Sequence, residues 1–166
     1  MFKGQTGITL LELLIGLAIV IILITVGMPR LTELIAQQRA ESYMRQFSQH
    51  LAFARVMAAS SNLPVQLCPQ RGDHCEADWQ NLPLRMQLMY PDDTTTLLRE
   101  IPAMYRKHKL FYNRATLSFR RDGSLDGFEN GTFYYCPDAS YHWHYSMTVN
   151  QAGRSRMLRV NTACPR

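Results

Sequence analysis

One stretch near the start of the chain limits the folds open to it. From Ile8 to Met28 the only charged residue is Glu12, and Leu13 to Leu23 carries no polar side chain. As a helix this segment rises about 30 Å, the thickness of a bilayer core. A helix apolar on every side must be covered by lipid or by other helices. A carboxylate in hydrocarbon costs about 3 kcal/mol or more, so Glu12 reads as a functional residue in need of a partner.

An ordinary secretory signal places a small-x-small cleavage site after its apolar stretch. No such site follows here. A polar heptapeptide, Met1-Phe-Lys-Gly-Gln-Thr-Gly7, instead precedes the run, and Glu12 stands five residues after Gly7. The segment Gly7-Ile8-Thr9-Leu10-Leu11-Glu12-Leu13-Leu14 resembles the class III signal of type IV pilins and pseudopilins. The resemblance implies that a prepilin peptidase cuts after Gly7 at the cytoplasmic face of a bacterial inner membrane, and that the new amine of Ile8 is methylated. It also implies that Glu12 pairs with the terminal amine of a neighbouring subunit as the filament assembles. Two charges that are each costly in an apolar filament core become tolerable as a pair. A plain signal anchor with a stray glutamate would explain the apolar length but not the Gly7–Glu12 spacing.

Beyond the apolar run, Gly27 and Pro29 predict a bend, because proline removes a helical hydrogen bond and glycine lowers the resistance. The helical pattern then resumes. Ala40, Tyr43, Met44, Phe47, Leu51, Ala54 and Ala58 recur at three- and four-residue steps, with Arg39, Glu41, Arg45, Gln46, Gln49 and Arg55 on the other faces. This spacing predicts one helix from Ile8 to about Ala59, ended by Ser60-Ser-Asn-Leu-Pro64. Short strands are expected at 84–90, 97–101, 110–112, 115–120, 131–136, 146–150 and 155–160, separated by turns such as Arg121-Asp-Gly-Ser. The last two form a hairpin around Ala152-Gly153. The expected fold is α+β, one long helix packed on an antiparallel sheet. It divides into a leader (1–7), a membrane and filament half of the helix (8–35) and a globular domain (36–166).

All four cysteines, Cys68, Cys75, Cys136 and Cys164, lie downstream of the apolar helix. An even count in an exported segment favours two disulfides over a zinc site, for which no CxxC spacing exists. Three pairings are possible. Cys68–Cys75 with Cys136–Cys164 is preferred, as one small loop and one staple on the C-terminus.

The C-terminal half carries a second resemblance. Ser118-Phe-Arg-Arg-Asp-Gly-Ser124, with Gly127, and then Met147-Thr-Val-Asn-Gln-Ala-Gly153-Arg154, are similar to the GspH/FimT group of minor pilins. These share a "DGS" turn and a final hairpin with Gly-Arg at its tip. The resemblance covers most of the chain, the stretch 63–106 excepted.

The net charge is +5 and unevenly placed. Residues 103–121 hold six bases and no acid, and 122–138 hold four acids and no base. After Asp138 only arginines are charged, at 154, 156, 159 and 166. Gly153-Arg154-Ser155-Arg156 is the sharpest candidate site. Two guanidinium groups at alternate strand positions can bridge successive phosphates without reading bases. The resemblance to the FimT type implies DNA contacts at Arg154 and Arg156 and a role in natural transformation. Arg159, Arg120, Arg121, Lys107 and Lys109 are further candidates. Strict alternation places Leu158 and Val160 on the side of Arg154 and Arg156, so either the arginines lie beyond the covered part of the sheet or a bulge near Gly153 changes the register. The run Tyr141-His142-Trp143-His144-Tyr145 either stacks on bases or packs a loop onto the sheet.

No nucleophile elbow, phosphate loop or paired His–carboxylate motif is present, so no enzyme, cofactor or metal is expected. The expected partners are other pilins, the prepilin peptidase, the inner membrane before assembly, and DNA. The expected final location is a pilus. Two alternatives stay open: a type II secretion pseudopilin, and a minor pilin that primes assembly without touching DNA.

Overall fold

The structure is a computed structural model that describes residues 9–165. Gly7 and Ile8, the expected cleavage and methylation positions, lie outside the described residues. The chain divides into two compact units at Gln38/Arg39.

In the first unit, Thr9 caps helix α1 (Leu10–Ile22), accepting the Glu12 N–H on its hydroxyl at 3.3 Å. Glu12 therefore sits in the first turn, where the helix dipole favours a carboxylate. A π-helical turn, Leu23–Gly27, leads into α2 (Met28–Ser61). That turn lies just before Pro29, which has no N–H to offer the preceding turn. The Thr25 hydroxyl donates to the Ile21 carbonyl at 2.8 Å within it. Residues 9–35 are exposed in the isolated chain. The helix includes a window of mean hydropathy 2.8, apolar and long enough to cross a bilayer, and none of that window is buried.

In the second unit, α2 buries Ala40, Tyr43, Met44, Phe47, Leu51, Ala54 and Ala58, the stripe expected from its spacing. Asn62, with φ 54°, ends the helix in the left-handed conformation that asparagine tolerates, and Pro64 follows two residues later.

The β-structure forms two antiparallel sheets. The first contains β1 (Val65–Arg71), β2 (His74–Cys75), β3 (Leu84–Met89), β4 (Thr95–Ile101) and β6 (Leu117–Phe119), with β1 between β3 on one side and β6 and β2 on the other. The second runs β5 (Lys109–Phe111), β7 (Gly131–Cys136), β8 (His144–Val149), β9 (Ser155–Val160). Strand β1 is absent from the sequence expectation. It is a central strand buried on both faces, so the alternation that marks a half-buried strand is missing. On one face the Gln66, Gln87 and Gln70 amides bond in a chain beside the Cys68–Cys75 disulfide. The second disulfide joins Cys136 to Cys164, so the preferred pairing is the one present.

Aromatic rings fill the interior. Phe47 of α2 meets Phe133 edge-on at 4.9 Å, Tyr43 stacks on Tyr135 at 4.8 Å, and Tyr112 stacks on Phe133 at 3.9 Å. Trp79, from the irregular loop between β2 and β3, packs edge-on against both Tyr112 and Phe133, and its indole N–H donates to the Arg114 carbonyl at 2.6 Å.

Two partly buried histidines set a pH dependence. Burial, with Arg99 nearby, holds His50 below its ordinary value. Burial, with Arg39 nearby and Asp138 opposing, does the same to His108, whose Nδ1 lies 2.8 Å from the Tyr135 hydroxyl. A histidine kept neutral by folding takes up more protons when unfolded. Stability is therefore complete above the unfolded pKa near 6.5 and falls as pH drops through it. We expect the melting temperature to decline between about pH 7 and pH 5.5, with a shallower decline in His108→Gln; identical pH profiles would contradict this assignment.

Candidate functional site

Two turns that are far apart in sequence are clasped together. The first follows β6: Gly123 N–H donates to the Arg120 carbonyl, Arg120 N–H to the Ser124 carbonyl, and Asp122 accepts from the Ser124 N–H and hydroxyl. The second joins β8 to β9: Gly153 N–H donates to the Asn150 carbonyl, and Arg154 N–H to the Asn150 side-chain oxygen at 2.9 Å. Leu125 N–H bonds the Gln151 carbonyl, and the Gln151 amide returns a bond to the Leu125 carbonyl at 2.7 Å. Both central glycines have positive φ, 77° at Gly123 and 71° at Gly153. A Cβ on Gly153 would lie 2.4 Å from the Gly123 carbonyl oxygen and 3.1 Å from the Phe119 ring. The glycine of the Gly-Arg tip is there to let the turns touch.

Helix α2 borders the clasp. The Arg55 side chain lies over Gly123, and Ser48 and Ser155 hydroxyls meet at 2.9 Å. Ala52, Arg55 and Val56 of the helix, with Asp122, Gly153 and Arg154, line a cleft of about 560 Å³. Arg120, Arg121 and Asp122 border a smaller one with Pro64.

Four arginines thus stand on the clasp or beside it, Arg55, Arg120, Arg121 and Arg154, and Arg156 follows two residues along β9 on the outer side of the sheet. The nearby carboxylates are already engaged. Asp126 pairs with Arg120 at 2.9 Å. Glu129 accepts from the Thr116 hydroxyl at 2.6 Å and from the Ser118 backbone N–H. Ser124 hydrogen bonds hold Asp122 below the usual carboxylate range, so it stays ionised. Among the described residues, Arg55, Arg121, Arg154 and Arg156 have no ion-pair partner.

Strand register sorts the expected basic residues into three places. Arg156 pairs with Thr148 and Leu158 with Ser146, with no register shift. Arg156 and Leu158 are both exposed, so the shared side is open at this edge strand and no bulge is needed. Arg159 points to the other side, 5.3 Å over the Trp143 ring. Lys109 pairs with Cys136 at the opposite edge and opposite end of the sheet, roughly 20 Å from Arg156 by strand spacing and rise. Lys107 is nearby and bound to Asp138 at 3.2 Å. Arg120 and Arg121 join Arg154 and Arg156; Lys107, Lys109 and Arg159 do not. The aromatic run also turns inward: Trp143, His144 and Tyr145 are buried, and His144 Nδ1 contacts the Thr162 carbonyl. Arg55 had no signal in the sequence beyond its place on a polar helix face.

The family described as "Type II transport protein GspH" matches residues 44–153, about two thirds of the chain. The chain belongs to this family. It is a type IV pilin-like minor pilin or pseudopilin of the GspH/FimT group, a class of structural filament subunits. Its fold is similar to that of the type IV minor pilin FimU of Pseudomonas aeruginosa (TM-score 0.61, 18% identity, covering 78% of this chain and 95% of that one). It is also similar to the minor pseudopilin EpsH from the type 2 secretion system of Vibrio cholerae (TM-score 0.57, 14% identity, 72% and 96%). No curated protein matches the sequence. Residues 39–166 form a compact unit of their own, and residues 9–35 contribute no buried side chain, so the domain keeps its described core without the apolar half of the helix.

Proposed function

We propose that this chain is a minor type IV pilin whose domain binds DNA non-specifically, with Arg154 and Arg156 as the principal phosphate contacts and Arg55 and Arg121 beside them. The observation that carries the reading is the set of four arginines without carboxylate partners around one clasp. Cations already paired would gain little from a phosphate; these four are free to neutralise one. Arg120, bound to Asp126, is a weaker contributor. Lys107, Lys109 and Arg159 lie outside the footprint.

The N-terminal segment supplies the attachment. Cleavage after Gly7 and methylation of Ile8 free a terminus at the inner membrane, and the domain then stands in the periplasm. Glu12 pairs with a neighbour's amine as the subunit enters the filament. Gly16, one turn on, leaves a notch beside Glu12 that admits an adjacent helix. Retraction would draw bound DNA inward during transformation, and several subunits on one strand make a weak single-site affinity sufficient.

The domain from residue 36 onward tests this by anisotropy titration on duplex DNA at several salt concentrations. Arg154→Gln with Arg156→Gln is expected to weaken binding by tenfold or more and to lower the salt slope by about 2. Equal binding by wild type and variant, or none by either, sinks the reading. The secretion-type family description and the likeness to EpsH favour one alternative, a type II secretion pseudopilin. That alternative predicts secretion loss with normal transformation in a deletion strain.

A further inference from the structure

Phe128 is 87% exposed, more than any other large apolar side chain among the described residues. Leaving a phenylalanine in water forgoes the gain of burying it, and a loose loop would fold such a ring onto the surface. This loop is not loose. Asp126 and Glu129 close a turn through the Glu129 N–H and the Asp126 carbonyl at 3.1 Å, with Gly127 at φ 46° inside it. Asp126 is tied at its backbone to the Ser118 carbonyl and at its carboxylate to Arg120. Glu129 is tied through its side chain to β6 and through its carbonyl to the Tyr112 hydroxyl. Both ends of the turn are fastened and the ring between them stands in solvent.

The turn follows the arginine clasp along the chain. Leu125 is bonded to Gln151 between the two turns, and Phe128 follows three residues later, within about 11 Å of Leu125 by virtual-bond length. A protein partner would usually need a contiguous apolar patch. The sequence neighbours of Phe128 are Asp126, Gly127, Glu129 and Asn130, which provide none. A flat ring on a fastened turn, a few residues along the chain from the Arg120–Ser124 turn, suits a ligand with exposed π-faces and phosphates. In duplex DNA the base faces are stacked on one another, whereas a single strand offers them.

We propose that Phe128 is a base-stacking platform that gives the arginine clasp a preference for single-stranded over duplex DNA. This rests on the DNA reading above. The ring takes one base while Arg121, Arg154 and Arg156 neutralise the flanking phosphates.

The test uses the domain from residue 36 onward with labelled oligothymidylate of about 12 nucleotides, and a labelled duplex of the same length. Phe128→Ala is expected to weaken single-strand binding about tenfold and to change duplex binding less than twofold. Phe128→Trp should keep single-strand affinity and show indole quenching on oligothymidylate only. Melting curves of both variants should match wild type, since the ring is exposed. If Phe128→Ala leaves both affinities unchanged or lowers both equally, while Arg154→Gln with Arg156→Gln still abolishes binding, stacking is overturned and the DNA reading stands. If the arginine variant binds as wild type does, or the wild type binds neither probe, the DNA reading fails and this inference with it. Loss of filament assembly in Phe128→Ala with unchanged DNA affinity would make the ring a subunit contact instead.

Discussion

Gly153→Ala is expected to destabilise the domain by about 3 kcal/mol and lower its melting temperature by about 10 °C or more. Two effects add. An alanine at φ 71° pays about 1–2 kcal/mol for the left-handed conformation. Its Cβ would also lie 2.4 Å from the Gly123 carbonyl oxygen, a backbone atom that cannot rotate away. Relieving that overlap means separating the turns, which strains the Leu125–Gln151 hydrogen bonds. Gly72→Ala provides the control. Gly72 has a similar φ of 63° but nothing within 4 Å of its would-be Cβ, so only the conformational part, about 1 kcal/mol, should appear. Equal melting temperatures for the two variants would show that the turns are not in contact. On the DNA reading proposed above, Gly153→Ala should also weaken DNA binding, by moving the Arg154 turn away from the Arg121 turn.

Trp79→Ala should be still more damaging, costing about 3–5 kcal/mol. The side chain is 2% exposed and touches two rings, Tyr112 and Phe133, that line the second sheet. Its removal leaves a cavity and also strips the Arg114 carbonyl of the indole N–H donor. Trp79→Phe should recover part of the packing but not the hydrogen bond, and fall between the two. Urea unfolding of the three proteins checks the order. An alanine variant within about 1 kcal/mol of wild type would mean that this loop is not part of the cooperative core.

The two glycines and Trp79 illustrate different degrees of legibility. The "DGS" turn and the Gly-Arg tip are visible as separate motifs in the sequence. What joins them is visible only in three dimensions: Gly153 leaves the room that the Gly123 carbonyl needs, and Gly123 leaves the room that Arg55 of the helix needs. Trp79 lies in a stretch without periodicity or motif, and nothing local announces that an irregular loop carries a central core residue. The same blindness hid β1. A strand covered on both faces loses its alternation, and Cys68, Pro69 and Gln70 within it do not suggest a strand.

The helical features were legible from local spacing alone. Glu12 in an apolar run and the seven buried positions of α2 follow from a 3.6-residue period, which fixes each side chain relative to its near neighbours. The preferred disulfide pairing also proved to be the one present. Which arginines stand together was decided only by the tertiary structure. The turns of Arg120, Arg121 and Arg154 come together because they clasp, Arg156 follows two residues along β9, and Arg55 joins them from a helix about a hundred residues away from Arg154. Lys109 and Arg159 look equivalent in a list of charges, but strand order sends one to the far corner and alternation sends the other to the opposite side. Local patterns carry no information on pairing between distant segments, and a shift of one residue in a strand would have reversed which arginines face the solvent.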